Sequence, residues 1–185
     1  CHRGVLFEDL QDMANYLQGI KDFLDALEKE CNFHPEILDV GGSFGIPTVR
    51  YLSESDIKLS QTFRIEAREP SPDTYPALED FAEFISKDLT NYFKRVNRPL
   101  PELAIEPGRA ITGNTQMLLS TVIDTKETAE TFTYGILDAG VSVAEIVQSE
   151  FHQVLPLQQT GQDKELYRLV GPICHMGDTL YNAWR

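Results

Sequence analysis

Cysteine is scarce in this sequence: three residues in 185, Cys1, Cys31 and Cys174, odd in number and far apart. No Cys-x-x-Cys pair and no Cys/His group at zinc spacing occurs. Neither a disulfide framework nor a metal site is therefore expected, and reduced thiols fit a cytoplasmic setting. Long apolar runs are missing too. None approaches the ~18 residues of a membrane-crossing helix, and no signal-peptide pattern opens the chain. Positive charge is in deficit, with 16 Lys and Arg against 29 Asp and Glu, for a formal charge of −13. Such a surface repels phosphate backbones and anionic lipid headgroups, so nucleic acid and membrane are not expected partners.

What is present suffices for a core: 42 % hydrophobic residues, with ten Phe and seven Tyr, which argues against disorder. The length suits one domain, or one domain and the start of another. The chain opens on Cys1 and runs straight into a helical pattern, which reads as the middle of a longer protein.

Apolar residues recur at helical spacing from Leu6 to about Glu30, predicting a helix with Glu8 and Asp9 near its start. Residues 36–40 predict a short strand, stopped by Gly41-Gly42-Ser43-Phe44-Gly45. Residues 46–72, which hold Pro47, Pro70 and Pro72, predict an irregular excursion. A second helix is expected over 74–96. Strands are expected over 102–105, 117–124 and 131–137, the first running into Glu106-Pro107-Gly108-Arg109 and the last into Asp138-Ala139-Gly140. Residues 166–181 predict a strand and then the loop from Gly171 to Asp178. Strand–helix alternation implies parallel β/α units, and the later strands imply a β-rich module. Parallel β/α barrels carry their chemistry at the carboxyl ends of strands, where the motifs after Val40 and Ile105 both lie.

The glycines after Val40 can present successive backbone N–H groups with no side chain in the way, which suits a phosphate; a tight turn leaving a buried strand is the plainer reading. The dinucleotide fingerprint and the P-loop lysine are both missing. Glu106 and Arg109 on one turn can hold two groups of one ligand, since arginine binds phosphate or carboxylate in a bidentate fork. A simple ion pair between them explains the pattern equally well. Cys174 follows a Gly-Pro turn and precedes a Met-Gly pair, as an exposed thiol would. A free thiol, with a reference pKa of ~8.5, keeps its proton at neutral pH and can donate it; a buried inert cysteine is the common alternative. Asp178 either orients this loop or caps the segment that follows.

Four motifs stand in order: Leu38-Asp39-Val40-Gly41-Gly42-Ser43-Phe44-Gly45, Glu106-Pro107-Gly108-Arg109, Asp138-Ala139-Gly140, and Gly171-Pro172-Ile173-Cys174-His175-Met176-Gly177-Asp178. In this order and approximate spacing the chain resembles the diaminopimelate/ornithine/arginine decarboxylases, pyridoxal-phosphate enzymes of the alanine-racemase-like fold type III. The resemblance implies an α/β chain: the second half of a pyridoxal-phosphate-binding (β/α)8 barrel over residues 1–125, running into the start of an all-β C-terminal domain over 126–185. It further implies a homodimer with sites at its interface and an amino-acid substrate that loses carbon dioxide.

Carried over by position, Gly41, Gly42 and Ser43 would hold the cofactor phosphate, with Pro107, Gly108 and Arg109 closing on it. Glu106 would face the pyridine nitrogen and keep it protonated. Cys174 would be the catalytic proton donor, and His175, Asp178 and Glu145 would face the substrate, with Glu150 and His152 as further candidates. The chain departs from the pattern in four places. Ser43 stands where the family usually has a third glycine. His175 stands where diaminopimelate enzymes have glutamate and ornithine enzymes aspartate, and residues 141–152 lack the arginine and proline that follow Asp-Ala-Gly in the former. A non-standard substrate is therefore expected. The fourth is absence: the family's Schiff-base lysine and ring-stacking histidine lie in an earlier region. An alternative is a non-catalytic homologue that binds a protein partner; an unrelated sugar-phosphate barrel would leave the cysteine loop unexplained.

Overall fold

The computed structural model describes residues 6–47, 49–71, 75–128, 133–144, 150–158, 165–175 and 177–180. The elements are α1 (Leu10–Cys31), β1 (Ile37–Gly42), β2 (Arg50–Tyr51), α2 (Glu54–Phe63), α3 (Leu78–Arg95), β3 (Glu102–Glu106), α4 (Arg109–Thr112), β4 (Val122–Glu127), β5 (Thr133–Leu137), β6 (Glu150–Phe151) and β7 (Arg168–Val170). They fall into two compact units, Cys1–Pro47 with Ser71–Gln116, and Thr48–Pro70 with Met117–Arg185.

In the first unit α1 begins at Leu10 rather than Leu6. Asp9 sets the start, its carboxylate accepting the Asp12 N–H at 2.7 Å as an N-cap. Leu6 and Phe7 are buried ahead of the helix; the Phe7 N–H donates to the Ser43 carbonyl at 2.8 Å, and Phe7 forms a parallel bridge with Phe44. Asn32, in the left-handed conformation, ends α1. Met13, Leu17, Ile20 and Leu24 make the buried stripe of α1; Phe81, Ile85, Leu89, Tyr92 and Phe93 make that of α3. Both stripes join one core with Leu38, Val40 and Phe44. Each fully buried side chain of this size contributes roughly 1.5–3 kcal/mol. Polar links tie the helices together, among them Lys21 Nζ to Asp88 at 3.0 Å and the Tyr92 hydroxyl donating to Asp25 Oδ1 at 2.7 Å.

β1 and β3 pair in parallel, with Leu38 opposite Leu103 and, after an irregularity, Gly42 opposite Glu106. Half of an eight-stranded barrel would bring about four parallel strands. Among the described residues the first unit holds this pair and the Phe7–Phe44 bridge, and no closed barrel forms. Ile37, Leu103 and Ile105 lie exposed along the pair.

In the second unit β2 pairs antiparallel with β6, and a three-stranded sheet runs in the order β4-β5-β7, with β4–β5 antiparallel and β5–β7 parallel. Two expectations are corrected here. Residues 46–72 contain β2 and the ten-residue α2, started by a reciprocal capping box between Ser53 and Asp56. The strand expected over 117–124 is shifted to Val122–Glu127, because Ser120 and Thr121 are tied to Asp138 instead. No helix among the described residues is long and apolar enough to cross a membrane, and no group of three or more His, Cys, Asp or Glu is placed to hold a metal ion.

Candidate functional site

The first unit brings two of the sequence motifs together. Because Gly42 stands opposite Glu106 in the parallel pair, Gly41-Gly42-Ser43 and Glu106-Pro107-Gly108-Arg109 leave the same end of adjoining strands. The contact is close enough to demand glycine: a Cβ on Gly42 would lie 1.7 Å from the Glu106 carbonyl oxygen. Gly41 has φ 73° and its N–H donates to Asp39 Oδ1 at 2.7 Å. Ser43, at φ 64°, adopts a left-handed backbone that costs a residue with a Cβ roughly 1 kcal/mol. The serine thus holds a conformation for which glycine is better suited.

Past β3, Gly108 turns the chain with φ 46°, and the Pro107 and Gly108 carbonyls accept the Ala110 and Ile111 N–H groups to start α4 at Arg109. Glu106 is exposed and Arg109 half-buried.

Tyr16 was not singled out by sequence. It projects from α1 and its hydroxyl donates to the Val40 carbonyl at 3.0 Å. Burial first, then the charges of Asp39 and Glu106, push its pKa above the ordinary tyrosine value. Both carboxylates therefore sit within electrostatic reach of one hydroxyl at the strand ends. The readable signal was a polar-tipped aromatic on the shoulder of a core-facing helical stripe.

Cys174, His175 and Asp178 belong to the second unit. Cys174 is exposed. Its loop is closed at the base: the Gly171 N–H donates to the Asp178 carbonyl at 2.8 Å, the Leu180 N–H to the Leu169 carbonyl at 3.1 Å, and Val170 bridges Thr179. His175 Nδ1 accepts the Gly177 N–H at 3.0 Å. Asp178, named from sequence among the substrate residues, is buried, with Oδ1 accepting the Val141 N–H and Oδ2 the Ile173 N–H, each at 2.8 Å. Glu145 lies outside the described residues. Glu150 is buried in β6 with its Oε2 3.2 Å from His152 Nε2.

Asp138, the first residue of the Asp-Ala-Gly motif, accepts the Ser120 hydroxyl at 2.7 Å and the Thr121 N–H at 2.8 Å. These two bonds hold its carboxyl below the ordinary carboxylate range. A carboxylate depressed in the folded state stabilises above its unfolded pKa of ~3.9, and that contribution fades as pH falls through the folded value. Amide exchange at Thr121 is expected to accelerate on acidification through the carboxylate range beyond the intrinsic pH effect, and Asp138→Asn to produce the faster exchange already at neutral pH. Equal protection in variant and wild type would contradict this.

The donor set of the first unit suits pyridoxal phosphate. It offers a glycine turn set against the Glu106 backbone, an adjoining carboxylate and a guanidinium on the next turn.

The chain is 26 % identical over 97 % of its length to a diaminopimelate decarboxylase of Aquifex aeolicus, covering 36 % of that protein. It is 29 % identical, again over 97 %, to one of Archaeoglobus fulgidus, covering 38 % of that protein. The chain thus spans just over a third of the length of these relatives. The crystal structure of diaminopimelate decarboxylase from Helicobacter pylori complexed with L-lysine shares its fold, with a TM-score of 0.57 at 21 % identity over 100 % of this chain and 39 % of that one. The family model described as pyridoxal-dependent decarboxylase, C-terminal sheet domain, matches residues 14–185, and the chain therefore belongs to the pyridoxal-dependent decarboxylase family.

Proposed function

We propose that the whole protein decarboxylates an amino acid with pyridoxal phosphate, and that this chain supplies the phosphate cradle, the pyridine partner and the proton donor. The observation that carries this reading is the register of Gly42 on Glu106, which sets the glycine turn beside the Glu-Pro-Gly-Arg turn. In this reading β1 and β3 are strands of a parallel barrel completed by the rest of the protein. The exposed Ile37, Leu103 and Ile105 then gain the cover that their apolar side chains lack here.

When bound, the cofactor supplies an electron-withdrawing ring that accepts the charge left as carbon dioxide departs. The backbone at Gly41–Ser43 would hold its phosphate, and the Pro107-Gly108 turn would bring Arg109 onto the same group. The Glu106 carboxylate would pair with the ring nitrogen and favour its protonated form. Cys174, supplied across a homodimer interface, would give its thiol proton to the substrate's α-carbon. His175, beside the thiol, would face the substrate side chain. With imidazole where standard family members carry a carboxylate, the substrate is an amino acid other than diaminopimelate or ornithine.

The test is carbon dioxide release by the full-length protein with excess pyridoxal phosphate, across a panel of amino acids. Cofactor-dependent release from at least one is expected. Tight cofactor binding without release from any would favour the alternative of a protein-binding, non-catalytic homologue.

A further inference from the structure

One buried carboxylate joins two motifs that lie more than thirty residues apart. Asp178 is 2 % exposed. Its Oδ1 accepts the N–H of Val141, directly after the Asp138-Ala139-Gly140 turn, and its Oδ2 accepts the N–H of Ile173, directly before Cys174. Its own carbonyl accepts the Gly171 N–H at 2.8 Å, and its own N–H donates to the His175 carbonyl at 2.9 Å. The loop that carries the thiol is thereby held at Gly171, at Ile173 and at His175 by a single residue.

Two glycines make room for this arrangement. A Cβ at Gly140 would lie 2.2 Å from Asp178 Oδ1, and one at Gly171 would lie 2.3 Å from Oδ2. A carboxylate is costly to bury unless its oxygens are satisfied, and here backbone N–H groups from two separate segments do so. The small residues at 140 and 171 and the acid at 178 form one packing unit, which accounts for Gly in two motifs at once.

We infer that Asp178 is a positioning residue: a carboxylate clasp that fixes the Cys174 loop against the Gly140–Val141 turn and so sets where the thiol points. The inference rests on the reading of Cys174 as proton donor, and it assigns Asp178 a role through Cys174 rather than contact with substrate. Asparagine at 178 would keep one acceptor but set an NH2 group against a backbone N–H, so one arm of the clasp opens. Alanine at 140 would retain the Asp178 carboxylate but push it sterically off its partners from the opposite side.

The test uses the full-length, cofactor-loaded protein. Two quantities are read for Asp178→Asn and Gly140→Ala: the alkylation rate of Cys174, followed on its own peptide by mass spectrometry, and steady-state turnover. Both variants are expected to saturate with pyridoxal phosphate like wild type, to alkylate Cys174 about tenfold faster, and to lose roughly 10- to 100-fold in kcat with KM nearly unchanged, as misplacing a reacting group does. Folded variants with wild-type alkylation and kcat would overturn the clasp. Global unfolding of both variants would overturn it too, because the residue would then support the module rather than one loop. If Cys174→Ala leaves the rate intact, the proton-donor reading falls alone, while the alkylation measurement still decides the clasp.

Discussion

Gly42→Ala is expected to destabilise the full-length protein by roughly 3 kcal/mol and to abolish saturable binding of pyridoxal phosphate, because a methyl group has no place between β1 and β3. Its carbon would sit 1.7 Å from the Glu106 carbonyl oxygen, with the carbonyl carbon at 2.8 Å. The obstacle is backbone, so no side-chain rotation relieves it. The strands must part at the point where the two motifs adjoin, and the glycine turn then loses its placement against Glu106 and Arg109. Gly19 provides the control. It lies in the middle of α1, exposed, with nothing within 4 Å of an added Cβ. The same chemical change there is expected to stabilise by about 1 kcal/mol through helix propensity. Thermal melts of the two variants should therefore move in opposite directions. A Gly42→Ala protein that melts and binds cofactor like wild type would mean that the strands do not approach as described.

Cys174→Ala carries the second large effect. Removing a general acid from an otherwise intact site lowers turnover by typically ~10²–10⁴-fold. Cofactor binding should be untouched, because none of the proposed phosphate or ring contacts comes from this residue. The split between binding and rate separates loss of the proton donor from loss of the fold, which would depress both. Serine in its place tests the acidity of the group: a hydroxyl holds its proton far more tightly than a thiol, so Cys174→Ser should recover little of the rate. Unchanged turnover in both variants would remove Cys174 from the mechanism.

The two strand-end turns were legible because their signals are local. A strand that meets Gly41-Gly42 must turn there, and a Pro107-Gly108 pair after β3 must turn again; both turns came from residue chemistry alone. Their adjacency was not legible, since it depends on the register of β1 against β3, which no local pattern encodes. The resemblance to decarboxylases supplied that pairing in advance.

Other elements were misread for definable reasons. The first helix began late because the Asp9 cap outcompeted the apolar run through Leu6. α2, within the stretch expected to be irregular, was missed because it buries only Ser60 and so carries almost no stripe; its one strong signal was the Ser53-to-Asp56 spacing, a capping box that a search for apolar periodicity passes over. Met117–Thr121 has strand-like composition, yet the Asp138 carboxylate diverts its last two residues into a side-chain turn. Asp178 shows the same limit. Its spacing from Cys174 was visible, but Val141, its partner across the loop, lies where only the folded chain brings it.

The central claim is that Glu106 and Arg109 grip one cofactor beside the glycine turn, and the most direct measurement is a pyridoxal phosphate titration of the full-length protein and its Arg109→Ala variant, followed by the long-wavelength absorbance of the bound cofactor. A lost charge-assisted fork to phosphate should weaken binding by roughly 10- to 100-fold. Identical titrations of wild type and variant would contradict the account.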